Sequence, residues 1–183
     1  TVKQIAPTFG AIKLEDIAAP ECFEIEEELD AALDIPVLHD DQHGTAVVVL
    51  AALINASRLS GVHLSEATVG VIGLGAAGMG IAKLLLAHGV RPVLGTDLKE
   101  SAKAMLVAAG GAVGTLDDVV GNAHVVVATT GVPGLIKPAM VRPGQIILAL
   151  SNPNPEIAPE AALTAGATFA ADGKSVNNAL GFP

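Results

Sequence analysis

The feature that most constrains the fold is TVGVIGLGAAGMG, residues 68–80. An apolar run breaks at Gly73-Leu74-Gly75-Ala76-Ala77-Gly78 and resumes as the helix-like stretch AAGMGIAKLLLAHG, closed by Gly89. A strand entering a tight glycine turn and leaving as a helix points to the opening of a βαβ unit. The rhythm repeats. RPVLGTD reads as a second strand and KESAKAMLVAAGG as a second helix with a glycine stop. HVVVATT (124–130), QIILALS (145–151) and ATFAAD (167–172) read as further strands, with short helical turns between them. Units of this size predict an α/β fold, a doubly wound parallel sheet.

Gly73-x-Gly75-x-x-Gly78 is weak alone in a chain with 20 glycines. Its context strengthens it, because Asp97 lies 19 residues past Gly78 at the end of the next strand. The first glycine permits the turn, the second admits a pyrophosphate, and the third lets the helix pack on the strand. The helix N-terminus then faces the phosphates. Asp97 is suited to an adenosine ribose, which favours NAD over NADP, although Lys99 leaves room for a 2′-phosphate. The expectation is a Rossmann-like NAD(P)-binding domain.

Composition agrees. Hydrophobic residues are 51% of the chain and aromatics only 2%, so the core must be Ala, Val, Leu and Ile. A net charge of −9 without a Lys/Arg cluster argues against a nucleic-acid partner. AVVVLAALINA (46–56) is too short to span a bilayer, so no membrane partner is expected. The one cysteine, Cys22, excludes an internal disulfide, fits a reducing compartment and reads as core filler.

Residues 1–39 look irregular, with a polar helix around Pro20–Leu33 and a short strand at PVLH. A largely buried helix is predicted from Gly44 to about Leu59, starting just after Asp40-Asp41. Those two carboxylates repel, and burial would cost several kcal/mol without compensation. Capping the helix would explain one Asp. For two, a cation is the better compensator. Glu15-Asp16 in AIKLEDIAAPE is a second acidic pair, and such hard oxygens suit Mg²⁺ or Mn²⁺. His39 and His43 fit local hydrogen bonding better than ligation. Asp117-Asp118 reads as a helix start.

Five blocks together resemble malic enzymes of bacterial type: IAPTFGAIKLEDIAAPECFEIEEEL, IPVLHDDQHGTAVVVLAALINA, the GLGAAG loop, ALSNPNPEI and SVNNALGFP. The resemblance covers nearly the whole chain. It implies oxidative decarboxylation of (S)-malate to pyruvate and CO₂, with reduction of NAD or NADP and a need for Mg²⁺ or Mn²⁺. It implies Glu15, Asp16 and Asp41 as metal ligands and Asp40 as the residue orienting the catalytic base. Thr45 would lie near the cofactor, and Leu74, Gly75, Ala76 and Ala77 would hold its pyrophosphate. Asn152 and Asn178, helped by Asn177, would bind malate carboxylate, with Asn152 also near the nicotinamide. Without the resemblance these Asn residues would be read as turn formers.

The division implied is 1–39, an edge of the catalytic domain with metal ligands, and 40–183, the NAD(P)-binding domain. A cytoplasmic homodimer is expected. The family's general acid, a tyrosine, and general base, a lysine, lie upstream of the LED block. This chain has no tyrosine, its seven lysines match no such motif, and it stops at Phe182-Pro183. The expectation is a partial chain that holds NAD but lacks the groups for turnover, with Asp40 less compensated than Asp41. Two rivals stand: a malolactic enzyme on the same scaffold, and a stand-alone dinucleotide-binding module.

Overall fold

A computed structural model describes residues 1–181; Phe182 and Pro183 lie outside them. After a single turn, α1 (Val2–Ile5), the chain forms β1 (Ile12–Leu14), α2 (Glu21–Asp30) and β2 (Val37–His39). Strands β1 and β2 pair in parallel as a ladder of their own. From α3 (Asp40–Ser60) onward, β3 (Val69–Ile72), α4 (Ala76–Ala87), β4 (Val93–Thr96), α5 (Glu100–Ala108) and β5 (Ala112–Val113) follow. Then come α6 (Leu116–Asn122), β6 (Val125–Ala128), β7 (Ile146–Ala149), α7 (Pro159–Thr164) and β8 (Phe169–Asp172).

The main sheet has six strands in the order β5-β4-β3-β6-β7-β8, all parallel. Strand order reverses between β3 and β6, and ligands of such sheets bind in the crevice at that point. Every residue of β3, β6 and β7 is buried, because helices cover both faces. Strand alternation divides the core. Val69, Val71, Val125, Val127, Ile146 and Leu148 pack with α3, α4 and α5. Ile72, Val126, Ala128, Ile147 and Ala149 pack with α6 and α7. Both layers are aliphatic, as the composition requires.

The five long strands match the sequence reading, but β5 was not foreseen. It has two exposed residues at a sheet edge and so carries no hydrophobic pattern. Helix α6 starts as expected. The Thr115 hydroxyl accepts from the Asp118 N–H at 3.1 Å while the Asp118 carboxylate accepts from the Thr115 N–H at 3.0 Å, a capping box. Cys22 is buried on α2, where burial and the Glu26 carboxylate push its thiol up, as befits core filler.

Helix α3 departs from the expected start. It begins at Asp40 instead of Gly44, so both Asp residues form its first turn, with His39 as N-cap. Its 21 residues are long and apolar enough to cross a membrane by length and composition, more than the short run read from sequence suggested. In the fold, Ala46, Val49, Leu53 and Ala56 are buried in the core shared with α4, while Val47 and Leu59 face outward. Gly80 allows the close approach of the two helices: a Cβ there would lie 2.5 Å from the Gln42 carbonyl oxygen.

Candidate functional site

The glycine loop joins the end of β3 to α4 at the strand-order reversal, and its three glycines do different things. Gly73 adopts φ +87°, and a Cβ there would come within 2.8 Å of the Thr129 carbonyl oxygen at the end of β6. A Cβ on Gly78 would overlap the Gly73 carbonyl oxygen, so the helix can sit on the turn only with glycine. At Gly75, the N-cap of α4, a Cβ would meet nothing within 4 Å. That open space above a 12-residue helix's N-terminus is where an anion can approach backbone N–H groups. The cradle therefore fits a pyrophosphate.

Asp97 anchors the loop. Its carboxylate accepts from the Leu74 N–H at 2.7 Å and the Lys99 N–H at 2.8 Å. Beside it is a cavity of about 410 Å³ lined by Ile72, Gly75, Asp97, Leu116, Thr129 and Val132. Apolar walls with one carboxylate at the rim suit an adenosine. On the other side of Thr129 a cavity of about 220 Å³ is bounded by Thr45, Ala77, Ser151, Asn152, Asn177 and Asn178. Asn177 and Asn178 also line a third space of about 610 Å³, with Lys13, Glu15, Asp40 and His43. Shared walls thus connect Asp97 to Lys13 along one face of the fold.

The carboxylates of α3 are compensated unequally. Asp40 receives the Asn178 amide at 2.6 Å and the Lys13 ammonium at 3.1 Å. Gly44 gives its carboxylate room, since a Cβ there would overlap Asp40 Oδ1. Asp41 accepts from the Asp16 N–H at 2.9 Å, and His39 Nε2 lies 3.4 Å away. Side-chain exposure is 15% for Asp40 and 37% for Asp41. This reverses the expectation that Asp40 would be the less compensated. The lysine it pairs with is in the chain, at a position where no motif marked it. Glu15 and then Asp40 hold the Lys13 ammonium above its ordinary range. Glu26 of α2 adds a carboxylate to the same helix end, accepting from the His39 N–H (2.7 Å), Gln42 Nε2 (2.9 Å) and, at the same distance, pairing with His43 Nε2.

Glu15, Asp16 and Asp41 are right in kind for a hard divalent cation. Their arrangement does not gather them: Glu15 points to Lys13 at 2.9 Å, and Asp41 is occupied by the Asp16 backbone. Among the described residues no group of three His, Cys, Asp or Glu side chains converges on one point. The three donors as placed do not form a metal centre.

The asparagines meet at the turn after β8. Asn152 Nδ2 and Asn177 Nδ2 both donate to the Gly173 carbonyl at 3.1 Å, and Asn177 Oδ1 accepts from the Ala179 N–H at 2.9 Å, which leaves the Asn152 carbonyl oxygen and the remaining amide N–H groups for other partners. Asp172 shapes that turn by accepting from Lys174 N–H, Ser175 N–H and Ser175 Oγ. Partial burial raises the Asp172 carboxyl, but the Ser175 and Lys174 donors outweigh it and hold it below the ordinary value.

Lys13, Thr129, Thr130, Ser151 and Glu156 belong to this region, yet sequence reasoning missed them as site residues. Thr129, Thr130 and Ser151 could have been found from their place at the carboxyl ends of strands beside the glycine turn. Lys13 and Glu156 carry no such signal.

The profile of the malic enzyme NAD-binding domain matches residues 42–109. The NAD-dependent malic enzyme 1 of Bacillus subtilis is 62% identical to this chain; the match covers all of the chain and 42% of that protein. The bifunctional malic/malolactic enzyme of the same organism is 43% identical, over all of the chain and 50% of that protein. The crystal structure of malic enzyme from Pyrococcus horikoshii superposes with a TM-score of 0.88 at 40% identity, covering all of this chain and 49% of that one. The chain therefore spans about half the length, or less, of these relatives. The glycine cradle at the strand reversal lies within the match to the malic enzyme NAD-binding domain, and along its whole length the chain is similar to part of the malic enzymes.

Proposed function

We propose that this chain supplies the dinucleotide-binding part, and one wall of the substrate site, of an enzyme that oxidatively decarboxylates (S)-malate to pyruvate and CO₂. NAD is the proposed acceptor and NADP the alternative. The observation that carries this reading is the connected path from the Asp97 cavity, past Gly75, to the cavity of Asn152 and Asn178 and on to the space that Asn178 shares with Asp40. A dinucleotide laid along it has its adenosine at Asp97, its pyrophosphate over Gly75 and its nicotinamide between Thr45 and Asn152.

When bound, the nicotinamide supplies a hydride acceptor. The chain's own residues bind and orient. Amides of Asn152, Asn177 and Asn178 are neutral donors that can hold a carboxylate without adding charge beside the acidic helix end. Asp40, fixed by Asn178 and Gly44, holds an ammonium at hydrogen-bond distance, the service expected of it toward a proton-transferring lysine. Dependence on Mg²⁺ or Mn²⁺ is part of the proposal. For Glu15 to join Asp16 and Asp41, it would have to leave Lys13. A cytoplasmic homodimer completes the reading.

The test is malate-dependent reduction of NAD and NADP by the full-length protein, with Mn²⁺ and with chelator. Absence of reduction under every condition would overturn the proposal. A second reading is conversion of malate to lactate, favoured by the 43% identity to a relative named as both malic and malolactic. Lactate formed without net NADH would select it.

A further inference from the structure

Glu156 lies in the ALSNPNPEI block without a role assigned to it above, and it is fully buried (0%). Its Oε1 accepts from the Thr130 N–H at 2.6 Å, the Thr130 hydroxyl at 2.8 Å and the Ser151 hydroxyl at 2.5 Å. Its Oε2 accepts from the Ser151 N–H at 3.3 Å. The two hydroxyls pass the connection on, since Val132 N–H donates to Thr130 Oγ1 and Gly131 N–H to Ser151 Oγ. Further along, Ile136 N–H donates to the Glu156 carbonyl. Among the described residues no cation pairs with this carboxylate. A buried charge satisfied only by neutral donors is costly, and a core position needing no more than volume is filled by an apolar side chain.

The donors come from the two loops that border the proposed dinucleotide path on either side of its middle. Thr130 and Val132 line the Asp97 cavity, and Ser151 lines the cavity of Thr45 and Asn152. We infer that Glu156 is a positioning residue that locks the loop after β6 to the loop after β7, so that the adenosine and nicotinamide ends of a dinucleotide are held in one fixed relation. The inference rests on the dinucleotide reading of the site. It also predicts which half suffers when the carboxylate is altered. A Gln at 156 keeps one oxygen for the three donors of Oε1 and turns an amide N–H toward the Ser151 N–H, so the Ser151 side is the one that loosens.

The test is calorimetric titration of the full-length protein and its Glu156→Gln variant with NADH and with ADP-ribose, which lacks the nicotinamide. The expected result is NADH bound about tenfold more weakly and ADP-ribose less than about threefold more weakly, the scale of one lost hydrogen bond to a charged group. Unchanged NADH affinity in a folded variant overturns the inference, and so does equal weakening of both ligands, which marks a merely structural role. If Glu156→Gln does not fold, Ser151→Ala removes one donor from the same carboxylate. It must show the same selective loss, and a uniform or absent effect overturns the inference. Failure of the unaltered protein to bind either ligand would instead refute the dinucleotide reading, and this inference with it.

Discussion

Replacing Gly80 by Ala tests how the two halves of the site are held together. In an exposed helix the change should stabilise, because Ala is favoured over Gly by about 1 kcal/mol. At this position the new Cβ would lie 2.5 Å from the Gln42 carbonyl oxygen, 2.9 Å from its carbon and 3.0 Å from Gln42 Cα. Ordinary contact begins at 3.4 Å, so α3 and α4 must separate by about 0.9 Å. The obstacle is backbone, and no side-chain rotation relieves it. Overpacking of this kind costs about 1–3 kcal/mol, which offsets the propensity gain and leaves a net loss of up to about 2 kcal/mol. The functional cost should be larger, because α4 carries the glycine cradle and α3 carries Asp40 and Thr45. A displacement near 1 Å between a bound cofactor and its substrate wall can cost about 100-fold in rate. Gly121 in α6 is the control: a Cβ there would meet nothing within 4 Å, so Gly121→Ala should be neutral or stabilising by up to about 1 kcal/mol. Denaturant unfolding and malate-dependent NADH formation on the full-length variants measure both effects. A Gly80→Ala protein as stable and as active as Gly121→Ala would refute the reasoning.

Asp97→Ala removes both the proposed ribose acceptor and the anchor of Leu74, so NADH affinity should fall about 10- to 100-fold; unchanged affinity would refute the assignment. Lys13→Met frees Glu15 and Asp40 from their shared ammonium, so direct titration with Mn²⁺ should show tighter binding, and weaker binding would show that Lys13 helps the cation. Asp118 gives a pH signature. The Thr115 hydroxyl and N–H hold its carboxyl below the ordinary 3.8, so the ionised form favours the folded state. Its contribution is present above pH 3.8 and disappears as pH falls through the lower folded-state value. Asp118→Asn should therefore be less stable than the parent near neutrality, with the difference vanishing in acid. A difference independent of pH would argue against ionic capping.

Which parts of the protein were legible in its sequence follows from the range of the forces involved. The glycine cradle was legible because Gly73, Gly75 and Gly78 act on atoms within a few residues, and Asp97 answers them from the next strand. The buried strands announced themselves through runs such as VVVA and IILA, which only a sheet covered on both faces can bury. The capping box at Thr115 is likewise local.

The Asp40-Asp41 pair shows where that legibility ends. Its local pattern suggested a helix beginning at Gly44, whereas the helix starts at Asp40, and the Glu26 carboxylate from α2 accepts the N–H of its N-cap, His39. What neutralises Asp40 arrives from Lys13 on β1 and Asn178 near the other end of the chain. Glu156 was invisible for the same reason, since its partners Thr130 and Ser151 end two different strands. Sequence by itself determined the alternation of strand and helix, the aliphatic core and the glycine turn, all set by covalent neighbours and by the period of side-chain burial. Only the tertiary structure decided which charges meet, because pairing buried or half-buried charges depends on distances across the fold that no local pattern encodes.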